Sequence, residues 1–291
     1  MLNTTLAEKL SNVCEAPSSE FASYSDYGYV PSLAAGIVFT VIFALIMIVH
    51  TVQMIWTKYW WCSVFAIGAM TEVLGWAART WSSSCPYILT PFLMQISTLI
   101  IAPTFFTAGI YILLGRLIAL LGRSSSVLSP RLYLYIFVTC DIISLVVQAV
   151  GGGLASIALE NNGNTSPGTD IMVAGIVFQL ASITIFVFCA ADFFRRVLRQ
   201  RLLASVEGSI TPLLLAMMFS ILLIYIRSIY RTIELVQGWT GYVITHEAFF
   251  IALDGSMMAP AVGIFLIVHP AWFMPKQKPV GEYDEISMAS A

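Results

Sequence analysis

Seven stretches of this chain are apolar for long enough to cross a lipid bilayer: residues 31–53, 60–80, 91–120, 131–159, 170–192, 210–235 and 244–268. A helical crossing takes roughly 20 mostly apolar residues, because the hydrocarbon core is about 30 Å thick. The runs are continuous rather than alternating residue by residue, which selects helices over a β-barrel. Lipid is also the only solvent that suits the composition. Only 10% of the 291 residues are charged and 58% are apolar, whereas soluble chains carry about 25% charged residues. A soluble enzyme, a disordered chain and a nucleic-acid binder are excluded on that ground, and nucleic acid is not an expected partner. The expected fold class is all-α: a polytopic, seven-transmembrane-helix bundle over residues 31–270, with tails at 1–30 and 271–291. The third and fourth stretches are long, so tilt or extension beyond the lipid is expected there.

Orientation follows from basic residues in short loops. Ten of the 14 Lys and Arg, from Lys58 through the 195–201 cluster to Lys278, fall on one side, and Lys9 alone falls on the other. The first side is therefore expected in the cytosol, with the N-terminus outside and the C-terminus cytosolic. The sequons at Asn3 and Asn164 both fall on the expected outer side. So do Cys14 and Cys85, which are predicted to form a disulfide because an oxidising compartment permits one. Cys62, Cys140 and Cys189 lie in spans and are expected to be free thiols. Residues 1–26 lack the apolar core of a cleavable signal, so the first helix is expected to direct insertion.

Ionisable side chains are costly inside lipid and mark function by default. Setting aside Arg116, Arg131, Asp170 and Asp192 toward span ends, eight charged residues lie in the spans: Glu72, Arg79, Asp141, Arg227, Arg231, Glu234, Glu247 and Asp254. His246 stands at the start of the seventh stretch, and Gln95, Gln148 and Gln179 add amides. Glu72 and Arg79, Asp141 and Gln148, Arg227 and Glu234, and Glu247 and Asp254 are each seven apart, or two turns along one helix face. These stripes predict a polar cavity in the outer half of the bundle that opens outward or sideways to the outer leaflet, with Glu72, Gln179, Asp141 and Asp254 nearer the middle and acids at its floor. The competing expectation is an interhelical ion-pair network without a ligand, for which Arg227–Glu234 pairing with Glu72–Arg79 suffices. Pro103 and Pro260 predict kinks. The Gly151-Gly152-Gly153 run predicts a close helix crossing or local unwinding, not a phosphate loop, since no strand precedes it. Trp and Tyr at the span ends, Trp239 among them, read as the interfacial belt.

Several of these residues fall into an ordered set of local patterns. Tyr27-Gly28-Tyr29-Val30-Pro31-Ser32 leads into the first span, and Glu72-Val73-Leu74-Gly75-Trp76 with Arg79 follows in the second. Gln95, Ala102-Pro103 and Tyr111 come next, then Phe137-Val138, Asp141, Gln148 and the three glycines. Residues 227–234, Arg-Ser-Ile-Tyr-Arg-Thr-Ile-Glu, precede His246-Glu247, Asp254 and His269-Pro270. From about Tyr27 to Pro270 the chain resembles the fungal RTA-like family of lipid-translocating exporters. The resemblance implies a seven-helix protein linked to amphipathic-toxin resistance, to sphingoid long-chain bases and, in one branch, to porphyrin uptake. It implies membrane lipids and amphipathic small molecules as partners, and the plasma membrane as residence.

The residues are compatible with that implication. Arg227 and Arg231 offer bidentate donors for a phosphate or carboxylate, and Glu72, Asp141 or Asp254 offers a partner for an amine. No Gly-x-x-x-x-Gly-Lys segment is present, and seven helices do not divide into equal inverted halves, so energy-independent movement or sensing is expected rather than pumping. The reading is a non-enzymatic protein that binds and translocates amphipathic lipids, with a lipid or toxin sensor as the alternative. A G-protein-coupled receptor is disfavoured by Gly115-Arg116-Leu117 and by the lack of Asn-Pro-x-x-Tyr, and a retinal pigment by the lack of lysine in 244–268. No cofactor is expected. The remaining alternatives are haem held by His50 and His269 and a metal-dependent lipid hydrolase, for which His50, His269 and Asp141 offer at most a thin site. Oligomeric state is left open.

Overall fold

The computed structural model describes residues 14, 25, 27–122, 125–161, 163–200, 210–239 and 241–274, the side chains of 159 and 160 excepted. Seven helices are long and apolar enough to span a membrane. They are α1 (Leu33–Thr57), α2 (Ser63–Ser84), α3 (Leu89–Leu121), α4 (Pro130–Glu160), α5 (Ser166–Arg199), α6 (Thr211–Val236) and a composite α7. The last consists of an α-turn Glu247–Phe250, a π-turn Ile251–Gly255 and an α-segment Ser256–Ile267, followed by a short α8 (Pro270–Phe273). There is no strand among the described residues.

The faces are sorted as lipid requires. Ile37, Val41, Leu45 and Ile48 of α1 and Ile142, Val146, Val150 and Ile157 of α4 point outward, exposed. Glu72, Arg79, Asp141, Arg227, Arg231, Glu234 and Asp254 are buried inside. With apolar groups outside and charges inside, the chain is a multi-pass integral membrane protein. At 33 and 34 residues, α3 and α5 are the longest helices, each about 50 Å at the standard rise. The helix of α5 outruns its apolar stretch at the far end, where Arg196 Nε donates to Asp192 Oδ2 at 2.6 Å across one turn.

Seven crossings alternate, so the loops at 85–88, 161–165 and 237–246 share one side with the N-terminal tail. The Cys14–Cys85 disulfide ties the tail to the first of these loops, its Cα atoms 4.9 Å apart. Cys62, Cys140 and Cys189 are free. The interior divides by depth. Toward the face opposite the tail, Tyr111, Tyr133, Phe137 and Phe186 pack as an aromatic core, with Tyr111 and Phe186 centroids 4.6 Å apart. Toward the tail, α1 contributes Phe39, stacked on Trp76 at 4.3 Å, and beyond that layer the interior is charged.

The three glycines interrupt nothing: α4 is helical through all of them. Gly151 is the crossing point with α5, where a Cβ would fall 2.7 Å from Gly168 O. A Cβ on Gly168 would in turn fall 2.7 Å from Gly151 O, so each glycine admits the other's backbone.

Candidate functional site

Proline chemistry and a π-turn shape the charged interior. Pro103 has no N–H to donate to the carbonyl four residues earlier, which frees Leu99 O inside α3. Arg227 Nη2 takes that acceptor at 2.6 Å. In α7, Pro260 likewise leaves Ser256 O without its helical donor, and the π-turn lies in the turn before it, carrying Asp254. Gly255 beside it admits Trp76 and Phe39, whose ring atoms would lie 2.5 and 2.9 Å from a Cβ there.

Asp254 is fully buried and accepts from two guanidinium groups. Arg231 approaches as a fork, Nε to Oδ1 at 2.9 Å and Nη2 to Oδ2 at 3.0 Å, and Arg227 Nε reaches Oδ1 at 2.8 Å. Arg231 Nη1 also donates to Glu234 Oε2 at 2.9 Å, and Tyr230 Oη donates to Glu234 Oε1 at 2.8 Å. A second cluster lies nearer the tail. Arg79 Nη2 donates to Glu247 Oε1 and to Tyr29 Oη, both at 2.8 Å, and Nη1 donates to Gln95 Oε1 at 3.3 Å. Tyr27 Oη donates to the same Gln95 oxygen at 2.8 Å, and Ser32 N donates to Glu247 Oε1 at 2.8 Å. Tyr29 precedes the first span, and burial raises its phenol above the usual tyrosine range although Arg79 opposes the shift, so it stays neutral at physiological pH. The Phe250 ring joins the two clusters, with Arg79 Cζ 4.4 Å and Arg231 Cζ 5.1 Å from its centroid.

The expected network pairs the Arg227–Glu234 stripe of one helix with the Glu72–Arg79 stripe of another, and residues seven apart on one helix do not themselves pair. Two turns separate them by about 10 Å along one helix, too far for a direct ion pair. Arg79 takes Glu247 and Arg227 takes Asp254, so both find their acid on α7 rather than on each other's helices. Three arginines thus face three acids in closed pairs, and Glu72 is left over: fully buried, with neither carboxyl oxygen hydrogen-bonded. His246 is exposed, its Nδ1 2.7 Å from Tyr242 O, and it does not join the network.

The polar residues of α4 lie elsewhere. Asp141 is buried against α3, where Thr107 Oγ1 and Tyr111 Oη both donate to its Oδ2 at 3.1 Å. Gln148 Nε2 donates to Gln179 Oε1 of α5 at 3.0 Å, while Gln148 Oε1 has no partner. Gln148 also lines a half-open cavity of about 650 Å³ between α3 and α4, on the tail side of the bundle. Its walls are Phe92, Ile96 and Ile100 of α3, Leu145, Gly152 and Ala155 of α4, Met172 of α5 and Trp239. Val146, Ala149 and Gly153 of α4, with Ser97 and Ile101 of α3, are exposed along it, so it opens sideways between the two helices. The expected polar cavity is therefore two objects: a charged interior packed shut by ion pairs, and an apolar lateral cavity. Of the twelve polar residues singled out, Gln148 alone lines the cavity.

On the opposite face, His50 Nε2 lies 3.3 Å from Val262 O, and His269 Nδ1 accepts from Ala271 N, capping α8. His50 Nδ1 and His269 Nε2 are buried without partners. No group of three potential metal ligands occurs among the described residues. Asn164 is exposed on the tail side, its Oδ1 accepting from Ser166 N; Asn3 lies outside the described residues.

Tyr27, Tyr29, Tyr230, Phe250 and Trp239 were not singled out from the sequence. Trp239 and the tyrosines at span ends read as an interfacial belt, which masks an inward role, while Tyr230 and Phe250 lie inside spans among many ordinary aromatics. The Tyr-Gly-Tyr spacing before α1 was the available signal, since it places two phenols beside Arg79.

Fold and site together define a polytopic helical membrane protein with a buried arginine–carboxylate network and a lateral cavity facing lipid. Residues 65–277 match the family described as RTA1 like protein. The chain is 36% identical to the Sphingoid long-chain base transporter RSB1 of Saccharomyces cerevisiae, over 93% of this chain and 79% of that protein. It is 31% identical to Protein RTA1 of that yeast, over 84% of each chain. It is 30% identical to Protein RTM1, over 83% of this chain and 90% of that one. The chain belongs to the RTA1-like family. No solved structure matches it significantly.

Proposed function

We propose that the protein binds amphipathic lipids, of the sphingoid long-chain base or phospholipid-like class, in the lateral cavity between α3 and α4 and translocates them across the membrane. The observation that carries this reading is the cavity itself. Its volume of about 650 Å³ is within the roughly 300–1,000 Å³ of small-molecule sites, its walls are apolar, and its side is open to lipid. A relative at 36% identity named for transport of sphingoid long-chain bases supports the lipid class. The Lys and Arg asymmetry supports an outside N-terminus and a cytosolic C-terminus, and in that orientation the cavity opens to the outer leaflet. The plasma membrane, a non-catalytic mechanism and the absence of a cofactor are parts of the same reading. The ion-pair network serves as the frame that holds α2, α3, α6 and α7 together.

A second reading rests on Glu72. An unpartnered buried carboxyl group among paired arginines favours a headgroup site in the charged interior, with Arg79, Arg227, Arg231, Glu234 and Asp254 exchanging partners to admit it. Reconstitution in liposomes with a fluorescent long-chain base separates the two. Gly152→Phe grows into the cavity, since only Met172 Sδ lies near a Cβ there, at 3.7 Å. The cavity reading expects that variant to lose flux while Arg231→Ala, if folded, keeps a measurable fraction. Loss in Arg231→Ala alone favours the interior site, and protein-independent flux throughout favours a sensor.

A further inference from the structure

The wall that α4 turns toward α3 carries two polar groups that the ion-pair network does not use. Gln148 is 3% exposed and lines the cavity, and its Oε1 is a buried acceptor with no donor. A carbonyl left unpaired in apolar surroundings is costly until a donor arrives. Asp141 lies seven residues earlier on the same face, about 10 Å further from the tail side. Leu145, between them, belongs to the cavity wall, so Asp141 sits one turn beyond the cavity's deep end. Both hydroxyl donors of Asp141 converge on Oδ2, and Oδ1 accepts nothing from the described residues. Glu234, Glu247 and Asp254 each have an arginine, whereas Asp141 has no cationic partner among the described residues.

We propose that the headgroup of a cationic single-chain amphipath moves along the α3–α4 seam between two stations, the Gln148 carbonyl oxygen and the Asp141 carboxyl group. The proposal rests on the cavity reading given above and narrows its ligand. The tail stays in the lateral opening while an ammonium or hydroxyl group supplies the donor that Gln148 Oε1 and Asp141 Oδ1 each lack. Among the described residues no Lys or Arg lines this seam to meet a phosphate or carboxylate headgroup, so selection favours amino alcohols over anionic lipids. Helix α4 thereby acts as a rail, with stations two turns apart on one face.

The experiment uses the full chain in phosphatidylcholine nanodiscs. The probes are a C18 2-amino-1,3-diol with a mid-chain diazirine and its neutral N-acetyl counterpart. Photolabelling of residues 92–101 or 145–156 in the unmodified protein is the expected result, and its absence overturns the cavity reading together with the proposal. Given that labelling, Asp141→Asn is expected to weaken amine binding about tenfold and leave N-acetyl binding unchanged, while Gln148→Leu weakens both. Equal amine affinity in Asp141→Asn and the unmodified protein, or equal loss for both probes, overturns the two stations while the cavity reading stands. Tyr111→Phe keeps the proposal testable should Asp141→Asn fail to fold. Removing one competing donor from Asp141 is expected to tighten amine binding about threefold, and no tightening overturns the proposal.

Discussion

Asp254 and Glu72 are both fully buried acids in the same charged interior, and they differ only in what surrounds their oxygens. Asp254 accepts three charge-assisted bonds from two arginines, whereas Glu72 accepts none. Truncating one partner of a buried ion pair leaves the others uncompensated, which costs roughly 3–5 kcal/mol. Asp254→Ala is therefore expected to destabilise the bundle by about that amount, read as a fall in the thermal midpoint of the purified protein. Glu72→Gln removes no hydrogen bond and is expected to leave the midpoint within about a degree or raise it. A large fall in Glu72→Gln would show that its oxygens are held by partners after all. Apart from Arg116, Arg131, Asp170 and Asp192 toward span ends, the charged side chains of the spans were all singled out from the sequence, because an ionisable residue in an apolar run is conspicuous. The sequence did not identify their pairing. Spacing along one helix says which residues share a face, but apart from Arg231–Glu234 the interior ion-pair partners come from neighbouring helices. Leu99 O was equally invisible, since a free carbonyl arises from Pro103 four positions later and carries no signature at residue 99 itself.

At the scale of elements, α4 and α5 meet backbone to backbone. Gly151 and Gly168 face each other with no room for a Cβ, whereas Gly153 has nothing within 4 Å of that position. One glycine of the triplet is thus a contact and another borders open space. Gly151→Val forces the helices apart and is expected to cost about 1–3 kcal/mol. Gly153→Ala meets no obstacle and is expected to stabilise α4 by roughly 0.5–1 kcal/mol through its gain in helix propensity. Paired thermal denaturation of the two variants measures the contrast, and equal destabilisation would refute the crossing geometry. The close crossing was readable from three consecutive glycines in an apolar run. The π-turn of α7 was not, because Pro260 announces a disturbed helix without saying which turn absorbs it. The lateral cavity escaped for a related reason: its walls are ordinary apolar residues, and nothing in their order distinguishes a void between helices from a packed seam.

Across the whole molecule, contacts on the tail side combine into one constraint. The disulfide fixes Cys14 beside Cys85, Tyr29 and Ser32 bond into the Arg79–Glu247 pair, and Trp239 closes the end of the cavity. The tail side therefore holds the disulfide, the charged interior and the cavity mouth together, while the opposite face collects the basic residues. If the tail side is extracellular, the disulfide meets an oxidising compartment and the cavity meets the outer leaflet, and the proposed transport begins or ends there. Cysteine labelling in intact cells tests this placement. Asn161 is exposed on the tail side and Val127 is exposed on the opposite face, while free Cys62 is buried and Cys140 and Cys189 are partly shielded. Asn161→Cys is expected to react with a membrane-impermeant maleimide in intact cells, and Val127→Cys only after permeabilisation. Glycosidase treatment supplies an independent readout, since modification at Asn164 requires the same side and Asn164→Gln should abolish that part of the mobility shift. Labelling of Val127→Cys in intact cells would invert the bundle. The cavity would then face the cytosolic leaflet, and the basic loops would contradict the charge rule that oriented them.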